Sequence, residues 1–233
     1  MTCNNRRDGA REEIRLAGAS GGEPLKDCAL CPRLVDYRNQ NARAYPEYFN
    51  GPAPSFGPAS ARLLIVGLAP GLHGANKTGR PFTGDYAGDL LYRTLGKFGF
   101  ATGVYDARID DGLELDDAMI SNAVRCAPPA NKPTTQEIRT CRSFLTKRIN
   151  SLPKLNSILC LGRIAHDSTL AALGVKPKAA AFSHGAAHEV ASGLVLFDSY
   201  HCSRYNTNTR RLTDAMFETV FEAVRRRLEG AGA

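Results

Sequence analysis

The stretch from Leu63 to Asp85, LLIVGLAPGLHGANKTGRPFTGD, joins an apolar run to a loop rich in glycine. A continuous apolar run of this length predicts a strand that is buried on both faces. Glycines directly after such a strand let the backbone lie close to a ligand. Because ligands of open α/β sheets bind beyond the carboxyl ends of the strands, this loop is expected at a binding site.

Strand-like and helix-like patterns alternate on both sides of this stretch. Buried strands are predicted at 62–68, 118–124, 157–161 and 194–200, with a weaker candidate at 179–183. Helices are predicted from near Asp85 to Gly99, from Thr134 with the capping box TTQE, over 164–173 and over 209–228. This alternation predicts the α/β class, as a three-layer α/β/α sandwich with a central, mainly parallel β-sheet.

The ends of the chain carry no readable motif. Residues 1–25 are expected to form a flexible basic leader, and residues 26–228 a single domain. No secretory signal and no apolar run long enough for a membrane span is found, so we expect a cytoplasmic monomer without membrane contact. With 30 Lys and Arg against 23 Asp and Glu, the formal charge of +7 favours polyanionic partners such as nucleic acid.

The glycine loop differs by one residue from a phosphate-binding P-loop. Asn76 replaces the second glycine of that pattern, before Lys77 and Thr78. A P-loop lysine and threonine open a helix, whereas here Gly79 and Pro81 interrupt it. A nucleotide-dependent phosphotransferase is therefore the least favoured of the functions considered.

Four of the seven cysteines form two pairs. Cys28 and Cys31 form a C-x-x-C pair, and Cys126 and Cys141 bracket the start of the second predicted helix. Four thiolates on two segments suit either a structural zinc ion or an iron–sulfur cluster, and the spacing does not distinguish them. Cys160 lies within a predicted strand and is interpreted as a core residue.

Three motifs together resemble the type B (family five) branch of the uracil-DNA glycosylase superfamily. They are GLAPGLHGANKTGRPFTGD, SNAVRCAPPANKP with a later cysteine, and YHCSRYNTNTRRLT, in the same order as in that branch. The resemblance implies the uracil-DNA glycosylase fold and a repair enzyme that hydrolyses the N-glycosidic bond of uracil in DNA, leaving an abasic site. It also implies a [4Fe–4S] cluster with a positioning role, held by Cys28, Cys31, Cys126 and Cys141.

Within this resemblance, side chains near the base receive roles. His201 is the motif histidine, expected to stabilise negative charge on the released base. Asn122 presents a donor and an acceptor that match the edge of uracil, and Phe82 is expected to stack on the flipped ring. Asp85 is the best acidic candidate for orienting water, and the role of helix N-cap fits it equally well. Packing alone would make Phe82 a core residue and Asn122 a turn former. The predicted base-binding set also includes Gly67, Ala69, Gly71 and His73.

Three positions depart from related motifs. Ala69 stands where other branches carry a polar or acidic side chain, and Cys202 stands where the family usually has proline, which puts the rigidity of that loop in doubt. Gly71 stands where the best-known uracil-specific branch has a tyrosine, so we expect a roomier pocket that also accepts bases such as hydroxymethyluracil or hypoxanthine. Ala69 and Cys202 leave a catalytically inactive iron–sulfur protein that binds nucleic acid as the alternative.

Cations in the first and last motifs are predicted to hold the DNA. Contacts to phosphate fix the position of a protein on DNA without reading its sequence. Arg204 and Tyr205 also follow the motif histidine, where family members insert a wedge into the duplex. The predicted DNA-binding set is Lys77, Arg80, Arg204, Tyr205 and Arg210.

Overall fold

Helices and strands alternate along residues 22–230, the part of the chain that the computed structural model describes. The helices are α1 (Pro32–Ala44), α2 (Ala75–Thr78), α3 (Tyr86–Lys97), α4 (Thr135–Asn150), α5 (Arg163–Ala172), α6 (Arg204–Asn208) and α7 (Asp214–Gly230). The strands are β1 (Leu63–Gly67), β2 (Ala101–Thr102), β3 (Glu114–Leu115), β4 (Ala118–Asn122), β5 (Ser157–Leu161), β6 (Ala187–Ala191) and β7 (Leu194–Ser199). Within residues 22–230, none of the helices has the length and apolar character that crossing a membrane requires.

A five-stranded sheet in the order β4-β1-β5-β7-β6 forms the centre of the domain. Strands β4, β1, β5 and β7 are parallel, and Leu63 of β1 lies opposite both Ala118 and Ser157. Strand β6 is antiparallel to β7 and closes one edge. Because parallel strands end at the same edge of a sheet, the loops after β1, β4, β5 and β7 meet on one side of the domain.

Helices cover both faces of the sheet. Leu63 and Ile65 point into a core shared with α3 and α7, whereas Leu64 and Val66 point into a core shared with α4 and α5. This alternation follows from the two-residue repeat of a strand, and it explains why β1, β4 and β5 are buried along their whole length. The predicted three-layer α/β/α sandwich is confirmed.

Several predicted elements differ in detail from the observed ones. The weak strand at 179–183 is wrong, because a 3₁₀ turn occupies Pro177–Ala179 and the edge strand lies at Ala187–Ala191. The last helix begins at Asp214 rather than at Thr209, because the preceding residues form the separate helix α6. Helix α1 and the small hairpin β2–β3 were not predicted.

The predicted leader falls mostly outside the described residues, which begin at position 22. Glu23 nevertheless contacts the body of the domain. Its Oε2 lies 3.0 Å from a guanidinium nitrogen of the buried Arg125, and its Oε1 pairs with Arg148. Glu23, which falls in the predicted leader, therefore packs against residues of the predicted domain.

Candidate active site

A cavity of about 420 Å³ opens where β1 and β4 end. The glycine loop after β1, the start of α3, the end of β4 and the loop after β7 supply its walls. Six of the residues predicted to act on the base line it: Ala69, Gly71, Phe82, Asp85, Asn122 and His201. This volume suits a small organic ligand, and a nucleobase is of that size.

The glycine loop makes one helical turn and does not form a phosphate cradle. Helix α2 ends at Gly79, whose φ of 80° only glycine adopts at little cost. The Asn76 side chain is buried and donates a hydrogen bond to Asn50 Oδ1 at 3.0 Å, while Lys77 is exposed. The loop therefore agrees with the interpretation that this chain has no P-loop.

Phe82 forms the floor of the cavity. Its ring stacks on the His201 imidazole, with ring centroids 5.8 Å apart and ring planes inclined by 26°. Gly67 makes this packing feasible, since a Cβ on Gly67 would lie 2.6 Å from Phe82 Cζ and 2.5 Å from Asn122 Oδ1. Phe82 is only 7% exposed, so the floor of the cavity is also part of the hydrophobic core.

Asn122 closes β4 directly opposite Gly67. Its side chain lines the cavity from a buried strand end, where the backbone holds it in place. Within residues 22–230, no hydrogen bond engages its side-chain amide. The donor and the acceptor of that amide are therefore both free to pair with a ligand in the cavity.

His201 enters the cavity as a neutral imidazole. Burial lowers the pKa of His201 to about 4, so the ring is uncharged at neutral pH. Asn206 Nδ2 donates to the His201 carbonyl oxygen at 2.8 Å and fixes the backbone at this position. A neutral imidazole can donate one hydrogen bond to charge that develops on a bound base.

Cys202 points away from the cavity. Its Sγ donates to the Ala87 carbonyl oxygen at 3.4 Å and the residue is fully buried, so it ties the loop after β7 to the start of α3. Burial also raises the pKa of the Cys202 thiol. The packed Cys202 thiol therefore holds this loop in place, although the proline that the family usually has there is missing. A buried thiol with a raised pKa is also a poor nucleophile.

Asp85 uses its two carboxylate oxygens differently. Oδ1 accepts a hydrogen bond from the Gly88 amide at 3.1 Å and caps α3. Oδ2 faces the glycine loop, since a Cβ on Gly74 would lie 2.7 Å from it and a Cβ on Gly71 3.6 Å from it. Burial raises the pKa of Asp85 above its ordinary value. The two predicted roles of Asp85 are therefore compatible, because they need different oxygens.

Two predicted site residues lie elsewhere. His73 is exposed and turned outward, with Nδ1 3.1 Å from the Tyr48 hydroxyl, and it does not line the cavity. Arg80, predicted to contact DNA, is buried instead, and its guanidinium pairs with Asp111 at 2.6 Å. A buried, paired guanidinium cannot reach a phosphate, so the prediction for Arg80 is corrected to a role inside the protein.

The other predicted DNA contacts stay at the surface. Arg204 lines the mouth of the cavity, where its guanidinium lies 5.2 Å from the centre of the Tyr86 ring. Lys77, Tyr205 and Arg210 are exposed. Nothing in their positions opposes contact with DNA, and that contact stays a prediction.

A second cleft, which was not predicted, shares His201 with the cavity. Two arginines flank it, with Arg163 5.3 Å from the Phe182 ring centre and Arg211 4.6 Å from the Tyr200 ring centre. Arg163 follows the end of β5, so its position after a buried strand was a usable signal. Asn131 also lines the base cavity; it stands within the second motif, but no role was predicted for it.

The four predicted metal ligands line one small cavity, which lies across the loop that follows β4 from the base cavity. Cys28, Cys31, Cys126 and Cys141 surround it together with apolar side chains that include Leu34, Val124 and Phe144. Burial raises the pKa of Cys126 to about 12 and that of Cys141 to about 11. The cationic charge of bound iron or zinc would lower these pKa values and stabilise the thiolates.

Within residues 22–230, the side chains of His, Cys, Asp and Glu form no group of three or more that is arranged to hold a metal ion. The four thiols nevertheless line one small cavity with largely apolar walls. Thiolates are ligands of both structural zinc ions and iron–sulfur clusters.

Comparisons with known proteins agree with these motifs. Residues 54–225 match the Uracil DNA glycosylase superfamily. The chain belongs to this superfamily. It is 44% identical over 209 residues to the Type-5 uracil-DNA glycosylase of Thermus thermophilus, covering 87% of this chain and 95% of that one. It is 40% identical over 212 residues to the Type-5 uracil-DNA glycosylase of Pyrobaculum aerophilum, covering 89% and 91%.

Ala69 and Gly71 both line the cavity without adding a polar side chain. Among the described residues that line it, the acidic one is therefore Asp85. A Cβ on Gly71 would make only ordinary van der Waals contact, so the cavity has room at this position.

Proposed function

We propose that this member of the superfamily is a uracil-DNA glycosylase, which removes uracil from DNA and leaves an abasic site. The observation that carries the proposal is the meeting of Phe82, Asp85, Asn122 and His201 in one cavity of nucleobase size. The names of the type-5 relatives agree with this activity. Because the cavity lies inside the domain, a paired base must rotate out of the stack to reach it.

Recognition of the flipped base uses a stacking surface and an amide. Phe82 lies under the ring of the base, and the free amide of Asn122 pairs with O4 and N3 of uracil. Cytosine presents a donor at N4 and an acceptor at N3, the reverse of the pattern in uracil. A rigid amide on a buried strand end therefore favours uracil over the base from which it arises.

The reaction breaks the bond between C1′ of the sugar and N1 of uracil. The electron pair of that bond leaves with the base, and the neutral His201 donates a hydrogen bond to the oxygen that gains the charge. The oxygen of a water molecule then bonds to C1′, and Asp85 Oδ2 orients this water and accepts its proton. The raised pKa of Asp85 makes its carboxylate a better base than an exposed aspartate.

DNA lies across the mouth of the cavity in this proposal. Arg204 stands at the mouth, and Arg163 and Arg211 flank the cleft on the other side of His201, replacing Arg80 as phosphate contacts. Tyr205, which is 71% exposed next to Arg204, is in a position to fill the space left by the base. One chain supplies every group, so the enzyme acts as a monomer.

We also propose that Cys28, Cys31, Cys126 and Cys141 hold a [4Fe–4S] cluster. The support is the chemistry of the donors, four thiols that line one small and largely apolar cavity. When bound, the cluster supplies a covalent link between the segment before α1 and the body of the domain. The unpaired state of these thiols agrees with a reducing compartment, which we take to be the cytoplasm.

Base release from labelled oligonucleotides tests the proposed activity. A single uracil or a single cytosine is placed in otherwise identical strands, and alkali cleaves each abasic site. We expect release of uracil and not of cytosine. For Asn122→Ala we expect a loss of roughly 10- to 100-fold in rate, because hydrogen bonds to a group that carries charge contribute about 1.5–3 kcal/mol. Asn131→Ala, a second amide at the same cavity, is the matched control. No release of uracil by the folded native protein would favour the inactive DNA-binding alternative.

A further inference from the structure

Phe82 has an unusual backbone for an aromatic residue. Its φ is 55°, in the left-handed region that side chains other than glycine rarely adopt. Its carbonyl oxygen also lies so close to α3 that a Cβ on Gly88 would be only 1.8 Å away. Such a conformation persists only where the surroundings hold it in place.

The residues on both sides of Phe82 are held by side chains from one distant segment. Arg80 Nη1 and Nη2 donate to Asp111 Oδ1 and Oδ2 at 2.8 and 2.6 Å, and both side chains are almost completely buried. Arg80 Nε donates to Thr83 Oγ1 at 2.7 Å, which bridges the positions before and after Phe82. Tyr105 Oη donates to the Phe82 carbonyl oxygen at 3.2 Å and accepts from the Gly84 amide at 3.3 Å.

Aromatic rings enclose the Arg80 guanidinium. The rings of Phe56, Tyr92 and Tyr105 have their centres 5.3, 5.5 and 5.8 Å from its central carbon. Desolvation strengthens both the cation–π attraction and the paired hydrogen bonds to Asp111. The loop of the β2–β3 hairpin, residues 103–113, thus supplies a rigid support for the segment that carries Phe82.

We propose that Arg80, Tyr105 and Asp111 are positioning residues for base recognition, which set the height and tilt of the Phe82 ring under the bound base. They act through Phe82 and do not line the cavity themselves. This inference rests on the proposed uracil-DNA glycosylase activity. It predicts that loosening the support weakens binding of the base more than it slows the bond-breaking step.

Two variants loosen the support to different degrees. The Asp111 carboxylate accepts hydrogen bonds from four donors, two Arg80 nitrogens and the amides of Asp106 and Leu113. Asp111→Asn replaces one accepting oxygen by an NH₂ group, which cannot accept from these donors. Tyr105→Phe removes only one hydroxyl group and keeps the ring. Tyr105→Phe therefore keeps the test decisive if Asp111→Asn does not fold.

Asp117→Asn is the matched control. Asp117 also forms paired hydrogen bonds to an arginine, with Arg62 Nη2 2.6 Å from Asp117 Oδ2, but it lies at the opposite end of β1 and β4. The two aspartates thus offer similar ion pairs at opposite edges of the sheet. Loss of stability is expected in both variants, and loss of base affinity only in Asp111→Asn.

The experiment measures the KM and kcat for uracil release and the inhibition constant of free uracil. For Asp111→Asn we expect both KM and the inhibition constant to rise about tenfold, and for Tyr105→Phe we expect both to rise about threefold. The value of kcat should stay nearly unchanged in both variants. A tenfold change in affinity corresponds to about 1.4 kcal/mol. For Asp117→Asn both constants stay at the native values. If all three variants only lower the melting temperature, the support is merely structural and the inference is wrong.

Hydrogen exchange of the Gly84 amide separates this inference from the proposed function. Tyr105→Phe removes the acceptor of that amide, so its exchange is expected to accelerate at least about tenfold, whether or not the protein releases uracil. Faster exchange with no uracil release by the native protein would overturn the proposed function alone. Unchanged exchange in Tyr105→Phe would overturn the positioning role alone.

Discussion

The base cavity and the cysteine cavity lie on either side of the loop after β4, and they are built in opposite ways. The base cavity is wide, is lined by glycine and alanine next to polar groups, and keeps the Asn122 amide free of protein partners. The cysteine cavity is small and walled by apolar side chains. A substrate that binds and dissociates in each reaction cycle needs accessible polar groups without protein partners. A permanently bound cofactor needs enclosure by packed residues. Substitutions in the two cavities should therefore affect different properties.

Substitution in the cysteine cavity is expected to have the largest effect. Cys141→Ser removes one of the four proposed ligands, and loss of a structural metal group is among the few changes that can lower the free energy of unfolding by about 4 kcal/mol. Iron and acid-labile sulfide analysis, together with thermal unfolding, measures this loss. Cys160→Ala is the control, because Cys160 is buried in β5 away from the other thiols. Equal iron content in the native protein and in Cys141→Ser would contradict the proposed cluster.

In the base cavity, His201→Ala is expected to remove activity and leave the fold intact. Loss of one donor to developing negative charge lowers the rate by about 10²–10³-fold. Single-turnover release of uracil measures the effect, and iron content and melting temperature should stay near those of the native protein. His73→Ala changes an outward-facing histidine of the glycine loop after β1 and should change the rate by less than about twofold. A similar loss in both variants would show that the stacked His201 has no special role.

Asp85→Asn separates charge from helix capping. Asparagine also caps helices well, so α3 should remain intact while the rate of release falls by roughly 10²-fold. Because burial raises the pKa of Asp85, the native rate should fall with decreasing pH at a value above the ordinary 3.8 of an aspartate. In Asp85→Asn that step should vanish, leaving only protonation of His201 near its pKa of about 4.

The stability of the same variant should change in the opposite direction. A pKa that is higher in the folded state than in the unfolded state means that the neutral carboxyl group stabilises the fold. This contribution is fully present below the unfolded pKa and is lost as pH rises through the folded pKa. At neutral pH the charged Asp85 therefore destabilises the fold, and Asp85→Asn should melt at a slightly higher temperature. A variant with unchanged activity and an unchanged pH profile would leave Asp85 with the capping role alone.

The smallest effect on uracil release is expected at Gly71. A tyrosine here should narrow the cavity, so that Gly71→Tyr loses about tenfold in preference for larger bases relative to uracil, consistent with steric discrimination by small groups. A panel of uracil, hydroxymethyluracil and hypoxanthine substrates measures it. Gly71→Ala is the control, since a Cβ at this position makes only ordinary contact. Native activity on uracil alone would remove the proposal of a broad substrate range.

The elements that could be predicted are those whose signal is local. Strands β1, β4 and β5 read as continuous apolar runs because both faces are buried, and Thr134 was predicted as a cap from its capping box, which is present. The edge strand Ala187–Ala191 was missed because it is partly exposed and has a weak apolar pattern. Helix α1 was missed because its polar sequence buries only Leu34 and Asn41.

The cavity residues were predictable for a related reason. Parallel strands end at one edge of the sheet, so residues that follow β1, β4 and β7 must meet there, as Gly71, Asn122 and His201 do. Arg80 could not be predicted in the same way. A basic residue in a glycine loop suggests a phosphate contact, and only the fold brings Asp111, thirty-one positions later, against it.

By itself the sequence determined strands β1, β4, β5 and β7, the capping box at Thr134, and the motifs that place the chain in its superfamily. These features depend on neighbours within a few positions of each other along the chain. Only the tertiary structure decided that Cys202 packs on Ala87, that Arg80 is buried, and that His201 is neutral. Burial and pairing depend on groups that are distant in sequence, and desolvation by those groups sets the charge of each side chain.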